Sequence, residues 1–167
     1  MYQWFERGRQ LAYFCVKTTG MHWDKGEFRI STDKTRMDIP YIHHYLSKES
    51  YWAAGIPEDL VLKSIEGSLS FGVYTGEQQV GFARVITDKA TFGYLADVFI
   101  DEAWRGKGLS KWLMEVIMAH PDLQYLRRII LATADAHGLY RQFGFDALPI
   151  PERWMQFTRP DIYKNLK

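Results

Sequence analysis

Residues 98–110 read Val-Phe-Ile-Asp-Glu-Ala-Trp-Arg-Gly-Lys-Gly-Leu-Ser, and this segment constrains the chain more than any other. It closes an apolar strand, crosses a short polar connection and reaches Gly106 and Gly108. Immediately beyond, Leu109, Trp112, Leu113, Val116 and Ile117 fall at helical spacing. A strand that hands over to a helix through such a turn is a ready anion site. The first N–H groups of a helix have no intrahelical acceptor, and the dipole adds about half a positive charge there. Glycines keep side chains out of the way, so backbone N–H groups can wrap a diphosphate. Arg105 and Lys107 add cationic side chains. Two familiar phosphate loops do not fit. The third glycine of G-x-G-x-x-G would fall on Lys111, and Gly106-Lys107 is followed by glycine rather than Ser or Thr.

The flanking sequence supplies a mixed α/β frame. Residues 27–31 alternate as a first strand. Asp38 is placed to cap a helix through Ile39, Tyr41, Ile42 and Tyr45, with Pro40 in its first turn. Residues 50–57 read as a loop, and a second helix runs from Glu58 to an end at Gly67. Three strands follow over 69–74, 79–87 and 91–100, as an antiparallel meander. After the helix over 106–120, closed by Pro121, residues 128–133 form an apolar strand of the buried, partly parallel kind. Asp135 is expected to cap a short helix ending at Gly144, and short strands are expected at 145–148 and 153–157. The expected order is β-α-α-β-β-β-α-β-α-β-β.

With 167 residues and no internal repeat, the chain fits one domain. Its formal net charge of +1 supplies no global field for a nucleic acid or an anionic membrane. The single cysteine, Cys15, excludes an internal disulfide and suits a reducing compartment. That cysteine and the five histidines show no metal-ligand spacing. Residues 1–24 read as an N-terminal extension, native or otherwise, with Met21 an alternative start. The apolar stretch 11–16 is too short for a signal peptide core, so a cytoplasmic location is expected.

Two elements together carry a resemblance. Arg105-x-x-Gly108-x-Ser110 after the strand Val98-Phe99-Ile100 resembles the acyl-CoA-binding motif of the GNAT acyltransferase superfamily. Downstream, Ala136-His137-Gly138-Leu139-Tyr140 and then Phe143-Gly144-Phe145 resemble its A-x-x-L-Y…G-F signature. They occur in the family's order, separated by a helix and a strand, and the resemblance covers about residues 27–158. It implies the GNAT fold: a mostly antiparallel sheet of about six to seven strands flanked by about four helices. Two positions depart from the pattern: Ser110, where Gly or Ala is usual, and Thr133, where many relatives carry Asn.

The resemblance also implies a division of labour. Val98, Phe99 and Ile100 splay from the neighbouring strand and receive the pantetheine arm of acetyl-CoA as an added strand. Arg105, Gly106, Lys107, Gly108, Leu109 and Ser110 hold the pyrophosphate, and Thr133, Ala136 and His137 complete the cofactor site. Tyr140 stands where the family places the acid that protonates the departing thiolate. Asp97, a charge inside an apolar strand, is a candidate base or amine-binding group, or else the partner of a salt bridge. Tyr45, Trp52 and Trp154 are candidate walls for the acceptor, with simple packing as the alternative; such walls suit an aromatic or apolar amine better than a polyamine.

The expected reaction is transfer of an acetyl group from acetyl-CoA to a primary amine of a small molecule or peptide, by direct attack in a ternary complex. No metal, membrane or nucleic-acid partner is expected, and a homodimer is compatible with the sequence. The competing reading is an acyl-CoA-binding sensor or regulatory module without turnover, which the sequence does not separate from an enzyme.

Overall fold

The computed structural model describes residues 20–164. Most of the N-terminal extension, including Cys15, lies outside the described residues. Six strands form one sheet in sequence order: β1 (His22–Lys25), β2 (Phe28–Ser31), β3 (Leu69–Thr75), β4 (Gln78–Thr87), β5 (Phe92–Ile100) and β6 (Arg128–Ile130). Neighbours are antiparallel from β1 to β5; only β5 and β6 run parallel. Four α-helices accompany them: α1 (Ile39–His44), α2 (Glu58–Glu66), α3 (Leu109–Ala119) and α4 (His137–Arg141). This is the expected mixed α/β architecture.

Local chemistry explains the boundaries. The Asp38 side chain accepts from the Tyr41 N–H at the start of α1, with Pro40 in the first turn, where its missing N–H costs nothing. A π-helical turn, Tyr45–Glu49, extends α1 and leads into the loop before α2. Glu58 and Asp59 open α2 with favourable charge, and Gly67 closes it.

The sheet carries apolar side chains on both faces because helices cover both. On one face Ile42, Leu46, Val61 and Ile65 of the α1–α2 region pack on Phe82 and Phe99. On the other, Leu109, Leu113, Met114 and Ile117 of α3 pack on Phe71, Val73, Val85 and Ile100. Full burial of each such side chain contributes about 1.5–3 kcal/mol before the entropy of ordering it is counted.

Three expectations change. Strand β1 is additional: His22–Lys25 is a mostly exposed edge strand with little alternation to betray it, closed onto β2 through Gly26 at φ 59°. The strands expected at 145–148 and 153–157 do not form. Pro149 and Pro151 interrupt the connection between the two segments, and a 3-10 turn at Pro151–Arg153 takes up the first residue expected in the second strand. Strand β6 ends at Ile130 rather than at residue 133, which opens the sheet where the chemistry is expected.

Candidate active site

A β-bulge sets the geometry. Arg84 faces Ala96 and Phe82 faces Phe99, so β5 spends three residue steps where β4 spends two. The extra residue places Asp97 at φ 54°, a left-handed conformation that a non-glycine residue rarely adopts. Regular alternation would put Asp97 and Val98 on opposite faces; the bulge lets both line one cavity. The Asp97 carboxylate is spoken for on both oxygens. Oδ2 accepts from Arg84 Nε, and Oδ1 accepts from Trp52 Nε1 at 3.0 Å. Arg84 also donates to Ser68 Oγ at 3.2 Å. The pair is largely buried, with side-chain exposures of 15% for Arg84 and 9% for Asp97.

The two parallel strands part just before the bulge. Phe92–Tyr94 pairs with Arg128–Ile130, and then β5 continues to Ile100 with no ladder partner on that edge. A cavity of about 530 Å³ occupies the fork, bounded by residues 94–98 of β5 and residues 131–136 of the opposite chain. Its roof comes from the α1–α2 loop: Tyr51, Trp52, Ala53 and Ile56. The Tyr51 hydroxyl crosses the opening and accepts from the Ala134 N–H at 3.1 Å. Tyr51 and Trp52 meet edge to face, with ring centroids 5.0 Å apart.

Tyr140, on α4, lines the same cavity and is buried. Its hydroxyl has no hydrogen-bond partner among the described residues. Burial, with smaller contributions from Asp135 and Tyr51, pushes its pKa up to about 12, so the hydroxyl stays protonated. The cap of α4 differs from expectation. Ala136 stands at the N-cap with no side-chain cap bond, and in the turn before the helix the Thr133 hydroxyl accepts from the N–H groups of Asp135 and Ala136, at 3.4 and 3.1 Å. Thr133 and Ala136 line the cavity; His137 is exposed and lies off it.

The glycine turn sits at the other end of β5. Gly106 and Gly108 have φ of 77° and 75°, the left-handed region that glycine enters without penalty. A Cβ at either position would meet nothing within 4 Å, so the space in front of the turn is open. Among the described residues nothing accepts from the N–H groups of residues 106–111, whereas the Gly108 carbonyl already accepts from Trp112. A run of free donors before open space fits a diphosphate. The cationic side chains behave differently. Arg105 turns inward, donating to the Ile100 carbonyl at 3.1 Å and to the Tyr45 hydroxyl at 3.2 Å. The Lys107 ammonium lies 4.5 Å from the Trp104 ring centroid. The Leu109 side chain is buried in the core and leaves only its N–H to the turn, while Ser110 is half-buried.

The expected acceptor walls divide. Trp52 lines the cavity. Tyr45 is buried and stacks on Phe99, with centroids 3.7 Å apart, in the packing of α1 on the sheet. Trp154 lies off the cavity, under the Arg128 guanidinium at 4.9 Å. The polar and aromatic lining residues that sequence reasoning did not assign to the site include Arg84, Tyr94, Asp135 and Tyr163. Arg84 carried a signal, a lone cation inside the apolar strand β4. Tyr163 carried none, because its place depends on the path of the C-terminal segment.

Known proteins share this fold. A model of the acetyltransferase (GNAT) domain matches residues 66–147. A candidate acetyltransferase of Gibberella zeae is 32% identical over 143 residues, spanning 74% of this chain and 81% of its own. The crystal structure of a candidate GNAT-family acetyltransferase from Xanthomonas campestris is 50% identical, covers 81% of this chain and 96% of its own, and superposes with a TM-score of 0.80. The structure of a candidate acetyltransferase from Clostridium acetobutylicum with acetyl-CoA shares the fold at 14% identity, covering 78% of this chain and 94% of its own with a TM-score of 0.54. The fold and these relatives define an acetyltransferase-type domain. The chain belongs to the GNAT family.

Proposed function

We propose that this protein transfers the acetyl group of acetyl-CoA to a primary amine of a small molecule or peptide, by direct attack within a ternary complex. The observation that carries the proposal is the continuity of three features along β5. They are the free N–H run at 106–111, the unpaired edge of β5 through the fork, and the Tyr140 hydroxyl in the cavity lining.

The N–H groups of residues 106–111 bind the diphosphate, assisted by the N-terminus of α3. The free edge of β5 at Val98–Ile100 pairs with the amides of the pantetheine arm. Acetyl-CoA supplies the activated acyl carbon: the amine nitrogen forms the new C–N bond, the C–S bond breaks, and the amine proton leaves for solvent. A backbone N–H near Val98 donates to the developing oxyanion. Tyr140 donates its hydroxyl to the departing sulfur. Asp97 is better suited to hold the amine than to deprotonate it, because taking a proton would dissolve its ion pair with Arg84. A carboxylate offers about four lone-pair sites, so an amine can still bind beside the two donors already present.

The test is release of CoA from acetyl-CoA against a panel of amines, with the acetylated amine identified by mass spectrometry. Matched release and amide formation supports the enzyme. Binding of acetyl-CoA with no amide from any amine would favour a sensor.

A further inference from the structure

We infer that the acceptor is an arylalkylamine or similar apolar amine, carrying a single positive charge and no carboxylate or phosphate near its nitrogen. The inference rests on the acyltransferase reading and deepens it by naming the substrate class.

Charge accounting carries the argument. Among the described residues the cavity is lined by three charged side chains, Arg84, Asp97 and Asp135. The one cation among them has a counterion: Arg84 is paired with Asp97 and also donates to Ser68. Asp135 has no salt-bridge partner among the described residues and stands close enough to Tyr140 to act on its ionisation. The lining therefore carries one net negative charge and no cation free of a counterion. An amine arrives as a cation and is attracted. An acceptor with a carboxylate or phosphate beside the amine brings an anion toward Asp135, and the one lining guanidinium, Arg84, already has its charge paired with Asp97.

The apolar part of the lining selects the body of the acceptor. Tyr51, Trp52, Tyr94, Tyr140 and Tyr163 surround the space. Aromatic faces receive another ring at about 0.5–1.5 kcal/mol beyond its burial, and they also attract an ammonium. A polyamine has the opposite profile. It needs several carboxylates spaced along its length and gains little from rings, and here the lining offers only Asp97, already paired with Arg84, and Asp135. Trp52 links the two halves of the argument, since its ring faces the cavity while its N–H fixes the Asp97 carboxylate.

Calorimetry on CoA-saturated protein tests this with three probes. Phenethylamine has the ring and one charge, phenylalanine adds only the carboxylate, and spermidine replaces the ring with further ammonium groups. Phenethylamine is expected to bind at least about 10-fold more tightly than either of the others, a margin of about 1.4 kcal/mol. Trp52→Ala should weaken phenethylamine about 10-fold and leave CoA affinity unchanged. Equal or tighter binding of phenylalanine or spermidine, or no binding of phenethylamine, overturns the inference. None of those results touches the acyltransferase reading, which falls separately if no amine is acetylated.

Discussion

Replacing Tyr140 by phenylalanine removes one oxygen and keeps the ring that packs edge to face against Phe145 at 6.0 Å. Its structural cost should be small, because the hydroxyl has no partner among the described residues. The catalytic cost follows from two acidities. The buried phenol has its pKa pushed up to about 12, while a thiol lies at about 8.5. Full proton transfer from phenol to thiolate would then run uphill by about 5 kcal/mol. Tyr140 is therefore expected to stabilise the departing sulfur mainly as a hydrogen-bond donor to an anion, worth about 1.5–3 kcal/mol. That corresponds to a kcat loss of roughly 10- to 150-fold. The assay is single-turnover CoA release at saturating acetyl-CoA and amine, with acetyl-CoA affinity measured beside it. Because Tyr140 keeps its proton across pH 6–10, the parent and Tyr140→Phe should share the shape of their pH profiles in that range. An unchanged single-turnover rate would refute the donor role, and a loss of acetyl-CoA affinity would make Tyr140 a binding residue.

The remaining predictions concern stability and the cofactor turn. Gly108→Ala should fold with a destabilisation of about 1–2 kcal/mol, a purely conformational cost because a Cβ there meets open space; a denaturant melt reads it. Asp97→Ala should destabilise by about 3 kcal/mol, the lower end for breaking a buried pair, since it strands the Arg84 guanidinium beside a cavity that water enters. Burial lowers the pKa of His120, so the unfolded chain takes up a proton more readily than the folded one. The stability this gives is present above about pH 6.5 and is lost as pH falls toward the depressed folded value; His120→Gln should flatten that part of a Tm-against-pH curve. A chain beginning at Met21 keeps β1 and should fold and bind CoA like the full-length protein.

Much of the fold was legible because its signals are local. Asp38, Gly67 and the glycines of the 105–110 turn mark helix ends through caps and backbone conformations that depend on a few neighbouring residues. The apolar spacing of α3 is equally plain. Strand β1 was missed because an exposed edge strand need not alternate, and the last two expected strands failed because prolines outweighed their aromatic residues. The site was less legible than the fold. Tyr140, Asp97 and Trp52 do meet around one cavity, but period-2 reasoning misplaced Asp97 relative to Val98, since a bulge resets alternation without a sequence mark. Arg105 looked like a phosphate ligand and instead serves Ile100 and Tyr45, a choice made by packing across 60 residues of sequence. Tyr163 joins the cavity through the path of the C-terminal segment, which no local pattern encodes.

In the proposed binding mode acetyl-CoA lies along β5 with its diphosphate on the N–H groups of residues 106–111. Titration calorimetry of acetyl-CoA into the parent protein and into Gly108→Glu tests it most directly, with circular dichroism confirming that the variant is folded. The account predicts one-site binding by the parent and none measurable by Gly108→Glu, whose carboxylate would stand in the open space before the turn. Unchanged affinity in a folded Gly108→Glu variant would contradict it.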